Sequence, residues 1–244
     1  MYKRKASESQ NSRVLRILAA LAKVPQASVK ELSDVTQIPL STVYRILDDS
    51  ISSGLVRKTS SAHYGAGPVS VQLAERYRDT SGLHGTVTPY LRELSRQTGE
   101  LTAFMVVHGA EAVCVESVES ERALRCSYTV GKSQPLIYGA TARALLSRIS
   151  PADRRDIFEH HAIPRDEQLE LEQKCSIARA DGFAVSTAEL DEGIWGVSAA
   201  VTNSKGMLKG AVTLMAPAQR IDQRGKELIE LTCRTAIALS GGNK

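Results

Sequence analysis

Residues 28–54, SVKELSDVTQIPLSTVYRILDDSISSG, decide how this chain is read. Ser28 followed three residues later by Glu31 is a capping-box pattern, in which a hydroxyl and a carboxylate reciprocally satisfy free amides at a helix start. Val29, Leu32 and Val35 then predict one apolar helical face. Thr36-Gln37-Ile38-Pro39 breaks the helix, because a residue before proline is pushed out of the helical region. A second helix is predicted from Pro39, a residue tolerated in a first turn, to Ser53, with Gly54 placed to stop it.

The second helix has two chemically different sides. Val43, Ile46, Leu47 and Ile51 fall on the predicted inner side. A turn of about 100° per residue puts Ser41, Arg45, Asp48 and Ser52 opposite them, with Thr42 and Tyr44 on the flanks. Two hydroxyls, a phenol and a guanidinium near a helix start suit phosphate and base-edge contacts in a major groove, where a recognition helix reads DNA. Asp48 and Asp49, further along, are expected to stay clear of phosphates, and Ser28, at the start of the first helix, is counted with Ser41, Thr42, Tyr44 and Arg45 among the DNA-contacting residues. The competing reading is a helical hairpin inside an ordinary core.

Working outward, residues 11–24 predict a preceding helix with Val14, Leu15, Ile17, Leu18 and Leu21 as its stripe. Residues 55–58 and 63–65 predict two short strands around the turn Ser60-Ser61-Ala62, a wing whose Arg57, Lys58 and His63 can lie along a nucleic-acid backbone. Residues 1–10 read as a disordered polar tail. Residues 1–68 carry 10 Lys and Arg against 5 Asp and Glu, whereas the remaining 21 basic and 22 acidic residues lie in 69–244. The basic excess therefore sits with the helix pair, as expected of a nucleic-acid-binding module.

The chain of 244 residues has room for two modest domains. No apolar run approaches the roughly 20 residues of a membrane span, and MYKRKASESQ leads into no apolar signal core, so a cytoplasmic location without membrane contact is expected. Cys114, Cys126, Cys175 and Cys233 are isolated, lack metal-site spacing and read as small core residues.

Residues 69–81 predict a linker helix carrying Val69, Val71, Leu73, Ala74 and Tyr77, and 86–98 another with Val87, Leu91 and Leu94 inward. The domain boundary is expected within 69–83. Beyond it, strands are predicted at 101–108, 112–118, 123–130, 183–186, 194–202 and 207–215, and helices at 139–149, 151–160, 168–180 and 222–239. The reading is α+β: a winged helix-turn-helix at 11–68, a linker helix at 69–83 and a sensor-like domain at 84–244.

These residues resemble the IclR-type bacterial transcription regulators. STVYRIL at 41–47 after Ile38-Pro39 resembles that family's winged helix. Its effector domain is matched by TGE at 98–100, Gly131 with Pro135-Leu136, GF at 182–183, Glu189 with Gly193, and VSAAV at 197–201. The resemblance spans about 11–240 and implies a GAF-like effector-binding domain, a homodimer or tetramer, and a pseudo-palindromic double-stranded operator. There are departures. Gly139-Ala140-Thr141-Ala142-Arg143-Ala144-Leu145-Leu146-Ser147 stands where the family often has TAxGKAxLA, Tyr64-Gly65-Ala66-Gly67 where it has YxLG, and Ser186 where some members carry a carboxylate.

The resemblance further implies a small effector, often an organic acid, between the sheet and the helix after Pro135-Leu136. Gly139-Ala140-Thr141 supplies a physical reason: free amides and a helix dipole favour an anion, and two small residues leave it room. Leu136, Ser186, Glu189, Ile194, Trp195 and Ser198 complete the expected lining. Strand alternation puts Ile194, Gly196 and Ser198 on one face and Trp195, Val197 and Ala199 on the other, so Trp195 and Ser198 should not both line it. Of the histidines, His63, His84, His108, His160 and His161 form no motif, and there is no phosphate loop or nucleophile elbow, so no catalysis, cofactor or metal is expected. The alternative is a small-molecule-binding or cryptic hydrolytic domain, using Cys126 or Ser198, whose N-terminal helices only dimerise.

Overall fold

The computed structural model describes residues 9–241, and the backbone alone at His84. Residues 1–8 of the expected tail lie outside the described residues, but Ser9 and Gln10 belong to structure: Ser9 caps helix α1, Gln10–Leu21, by accepting from the Ser12 amide at 3.2 Å. The chain divides into two compact units at Ser81/Gly82.

The first unit packs α1 against α2, Val29–Thr36, and α3, Leu40–Ser52. Ser28 caps α2 as its sequence predicts, accepting from the Glu31 amide at 3.2 Å while its own amide donates to Glu31 Oε2 at 2.7 Å. The helix closes at Gln37, left-handed at φ 54°, inside the predicted break at 36–39. Ile17, Leu21, Leu32, Ile38, Val43, Ile46 and Leu47 form the core.

Three predicted inward residues are corrected. Val35 is 74% exposed, Leu15 66% and Ile51 38%, whereas Thr36 and Ser50 are buried. The reason is helical phase. At about 100° per residue, a three-residue step loses about 60°, so Val35 has drifted off the face that Val29 and Leu32 share and Thr36 has come onto it. The same rotation puts Ser50 between Ile46 and Leu47, and Ile51 at the margin. Thr36 and Ser50 satisfy their hydroxyls locally, donating to the carbonyls of Leu32 and Ile46.

The wing is a three-stranded sheet in the order β1-β3-β2, with β1 at Ala27–Ser28, β2 at Val56–Lys58 and β3 at His63–Ala66. The predicted pair is present, and the unpredicted β1 pairs Ala27 with Tyr64. Gly54 turns the chain out of α3 at φ +74°, a conformation available to glycine at little cost. Helix α4, Pro68–Thr80, follows, and none of its residues is buried.

The second unit begins with a π-turn at Leu83–Val87 and helix α5, Thr88–Thr98. Its six-stranded antiparallel sheet runs β6-β5-β4-β9-β8-β7. The strands are β4 Leu101–His108, β5 Glu111–Val118, β6 Ser133–Pro135, β7 Ala184–Thr187, β8 Ile194–Thr202 and β9 Leu208–Pro217. Helices α6 Gly139–Leu146, α7 Pro151–His160 and α8 Arg165–Asp181 supply one apolar cluster with Phe158, Leu145 and Met105; α5 and α9, Gly225–Leu239, supply the other with Leu91, Val197 and Leu228. The expected strand at 123–130 does not form. The free edge of β5 is taken by 131–135, where Gly131 donates to Cys114 O at 2.8 Å and Ser133 pairs with Val113, so 123–130 has no ladder to join.

Leu47 is fully buried whereas Val35 is exposed. Leu47→Ala should destabilise α3 by about 2–5 kcal/mol; Val35→Ala should change it by less than about 0.5 kcal/mol. Hydrogen exchange of the α3 amides in the full chain reads both, and equal effects would refute the packing described.

Candidate functional site

In the first unit, the start of α3 carries the candidate reading face. Ser41, Tyr44 and Arg45 are exposed and Thr42 is half-buried. Tyr44 is 54% exposed although it is a large aromatic residue. Asp48 and Asp49 are also exposed, one turn further along. On the wing, Arg57 and Lys58 are exposed; Arg57 Nε donates to Ala66 O at 3.2 Å, and His63 Nδ1 lies 3.3 Å from Ser60 Oγ. Ser28 is corrected to a structural role, because its hydroxyl proton is given to Glu31 Oε2 at 2.7 Å within the cap.

In the second unit the predicted residues divide by the sheet face they occupy. Helix α6 lies on β7, β8 and β9. Its start is held by a carboxylate of the chain itself. The Gly139 amide donates to Glu189 Oε2 at 3.0 Å, and the Ala140 amide to Ser186 Oγ at 3.1 Å. Arg143 grips the same carboxylate with two nitrogens, at 2.9 and 3.2 Å, and donates to Val185 O at 2.5 Å. Such a two-pronged pair is geometrically specific. Gly139 sits at φ +84°, and a Cβ there would come within 3.0 Å of Leu190 Cδ1, so glycine answers both the backbone and the close approach.

Below α6, Thr141, Ser198 and Thr213 form a closed ring of hydroxyls at 3.1, 2.9 and 2.7 Å. Each can donate once and accept once, so three nearly inaccessible hydroxyls are satisfied without charge. Ala140, Thr141, Ser186, Glu189, Leu190, Ile194, Gly196, Thr213 and Met215 enclose a recess of about 20 Å³, room for about one water molecule. Leu190, Ile194 and Met215 also border a second cavity of about 540 Å³, which Cys126, Tyr128, Lys132 and Gln134 line.

Two expected lining residues are corrected. Trp195 packs in the α5/α9 cluster on the opposite face from Ser198, as strand alternation requires. Leu136 is a fully buried member of the α6–α8 cluster. Sequence reasoning missed Arg143, Leu190, Thr213 and Gln134. Arg143 left a signal, a single guanidinium inside the apolar run GATARALL. Thr213 is found only through the register that sets it opposite Ser198.

The residues named for a cryptic hydrolase have other surroundings. Ser198 is bonded to the Thr141 and Thr213 hydroxyls. Burial pushes the Cys126 thiol above its ordinary value, which disfavours the nucleophilic thiolate. Among the described residues, no group of three or more His, Cys, Asp or Glu could hold a metal ion, and no helix is long and apolar enough to cross a membrane.

Comparison with known proteins meets this geometry. The IclR helix-turn-helix domain matches residues 12–60, and the bacterial transcriptional regulator IclR C-terminal domain matches 76–241. The chain belongs to the IclR family of bacterial transcription regulators. It is 30% identical over 239 residues to the HTH-type transcriptional regulator Rv1719 of Mycobacterium tuberculosis, covering 91% of each chain. The IclR transcriptional regulator of Alicyclobacillus acidocaldarius shares the fold at TM-score 0.81 and 18% identity, covering 96% of this chain and 98% of that one. An IclR homologue of Microbacterium hydrocarbonoxydans complexed with 4-hydroxybenzoate has TM-score 0.73 and 17% identity, covering 96% and 98%. The N-terminal unit is thus a DNA-binding domain, and the C-terminal unit an α+β, GAF-like effector-binding domain.

Burial pushes the Cys114 thiol from 9.0 to about 12 and that of Cys175 to about 11. The protonated thiol is favoured in the fold, so this stability is complete below the ordinary thiol value and is lost as the pH rises towards these values. Cys114 and Cys175 should therefore resist a disulfide reagent at pH 8 until the chain is unfolded, and the unfolding midpoint should fall above about pH 9. Rapid labelling of either thiol in the native state would contradict their burial.

Proposed function

We propose that this protein is a repressor of a catabolic operon that binds a pseudo-palindromic operator as a homodimer or tetramer in the cytoplasm and is released by a small organic acid. The observation that carries the DNA reading is the start of α3: Ser41, Tyr44 and Arg45 stand exposed, and among the described residues no protein hydrogen bond or ion pair engages their side chains. Exposed groups of this kind exchange water readily for base edges and phosphates, and a guanidinium, phenol and hydroxyl on one helix turn suit such contacts. Thr42 flanks them, and Arg57, Lys58 and His63 follow the adjacent phosphates.

The effector reading is supported by the second unit. Gly139, Ala140, Thr141, Ser186, Glu189, Ile194 and Ser198 converge at one end of α6, where amides and a guanidinium suit a carboxylate. The 4-hydroxybenzoate complex of the Microbacterium homologue favours an organic acid. Self-association is supported by α4, whose Leu73 and Tyr77, one turn apart on one helix face, are 59 and 47% exposed and gain cover from a second copy. An acid that lowers the DNA-competent population then turns on genes for its own consumption.

Arg45→Ala should weaken operator binding by about 1–3 kcal/mol and relax the preferred sequence, as loss of a bidentate base contact does. Wild-type affinity should fall steeply with salt, because bound phosphates release counterions. A gel-shift series at fixed and varied salt reads both. Unchanged affinity and base preference for the variant, or a flat salt response, would exclude α3 as the reader.

A further inference from the structure

The place that suits an acid at the start of α6 is already taken. Glu189 accepts the Gly139 amide and is gripped by Arg143, so the amide dipoles and the guanidinium face a carboxylate that the chain supplies itself. Leu190, the next residue, closes over Gly139 and leaves only about 20 Å³ behind it. A second carboxylate cannot be added there. Two like charges sharing one seat repel strongly, and the space is that of one water molecule.

Beside this seat lies a larger cavity. Its volume of about 540 Å³ is that of a small-molecule site. Gln134 lines it and is 8% exposed; its Oε1 accepts from the Tyr128 hydroxyl at 2.7 Å, while its buried Nε2 has no hydrogen-bond partner. An unpaired buried donor is costly, and movement of the cavity wall that brings an acceptor to it relieves that cost. Leu190, Ile194 and Met215 border both spaces, so the wall between cavity and recess includes the residue next to Glu189.

We propose that Glu189 is a resident competitor, and that a carboxylic acid enters by exchange with it. The acid's carboxylate takes over the Gly139 amide and the Arg143 guanidinium. Glu189 and Leu190 swing outward, and the recess and the larger cavity become one site extending to Gln134. Exchange keeps Arg143 paired throughout, and this matters because its side chain is only 10% exposed. Glu189 is 35% exposed at the rim of the site, so it has a path into water, and its regained hydration offsets the contacts it gives up. The move spares the sheet. Ala188 donates to Ile194 O at 2.8 Å, closing the hairpin below the segment 189–193, so the β7–β8 ladder stays intact. The inference rests on the effector-pocket reading above and adds how the site is regulated: the unliganded chain holds itself in a self-liganded form, and an acid that fills only this seat, without contacts in the larger cavity, competes poorly with a tethered carboxylate.

The test titrates the full-length protein with sodium acetate against sodium chloride at matched ionic strength, following the Gly139 and Ala140 amides by NMR. Glu189→Ala, which empties the seat, should bind acetate at least about tenfold more tightly than wild type. Glu189→Gln, which removes the charge but keeps an acceptor for Gly139, should gain less and supplies the comparison if the alanine variant folds poorly. Equal acetate affinity in wild type and variants, or no acetate binding by any of them, overturns the exchange. Operator binding by the wild type is measured alongside. If it fails while the acetate difference holds, the regulator reading falls and the exchange stands; if operator binding is normal and the acetate difference is absent, the exchange alone falls.

Discussion

The register between Ile194–Thr202 and Leu208–Pro217 is the constraint on which the second unit depends. It sets Ser198 opposite Thr213 and Trp195 opposite Ala216. Because side chains alternate along a strand, that register sends the hydroxyls to α6 and the indole to α5 and α9. A slip of one residue would place Trp195 and Val197 under α6 and turn Ser198 into an apolar cluster with no partner. Hydrophobic burial on both faces of the sheet thus holds the three hydroxyls together in one place.

The two units treat polar groups in opposite ways, and the difference follows their tasks. At the start of α6, amides, hydroxyls, guanidinium and carboxylate are mutually satisfied, because in a low-dielectric site an unpaired group is costly. At the start of α3, hydroxyl, phenol and guanidinium are left to water, where waiting for a partner costs little. A regulator needs both. On the proposed function, the start of α3 must be free to meet DNA, and the start of α6 must rest in a defined form that a ligand can change.

Much of the first unit was legible because its determinants are local. Ser28 and Glu31 are three residues apart and make a cap whatever surrounds them. Val43, Ile46 and Leu47 share a face by helical rotation alone. The misses there have the same origin: over eight residues a three-residue repeat drifts, so Val35 leaves the face and Thr36 replaces it. In the second unit, Gly139, Ala140 and Thr141 could be gathered from a helix start, and Ser186 and Glu189 through the resemblance to the family. Leu136 and Trp195 could not be sorted from them, since an apolar residue beside a site looks the same in sequence whether it lines the site or the core.

By itself the sequence determined the helix starts and stops, the alternation of β8 and the charge excess of the first 68 residues, each a property of neighbours along the chain. It also determined the family, through motifs whose order survives substitution. Tertiary structure alone decided that Glu189 would close on an amide 50 residues earlier, that Arg143 would turn from an oddity in an apolar helix into its counter-charge, and that 131–135 rather than 123–130 would take the edge of β5. These outcomes depend on which surfaces meet when the sheet buries both its faces. No periodicity within a segment encodes such a meeting, because its energy belongs to pairs of residues far apart in the chain.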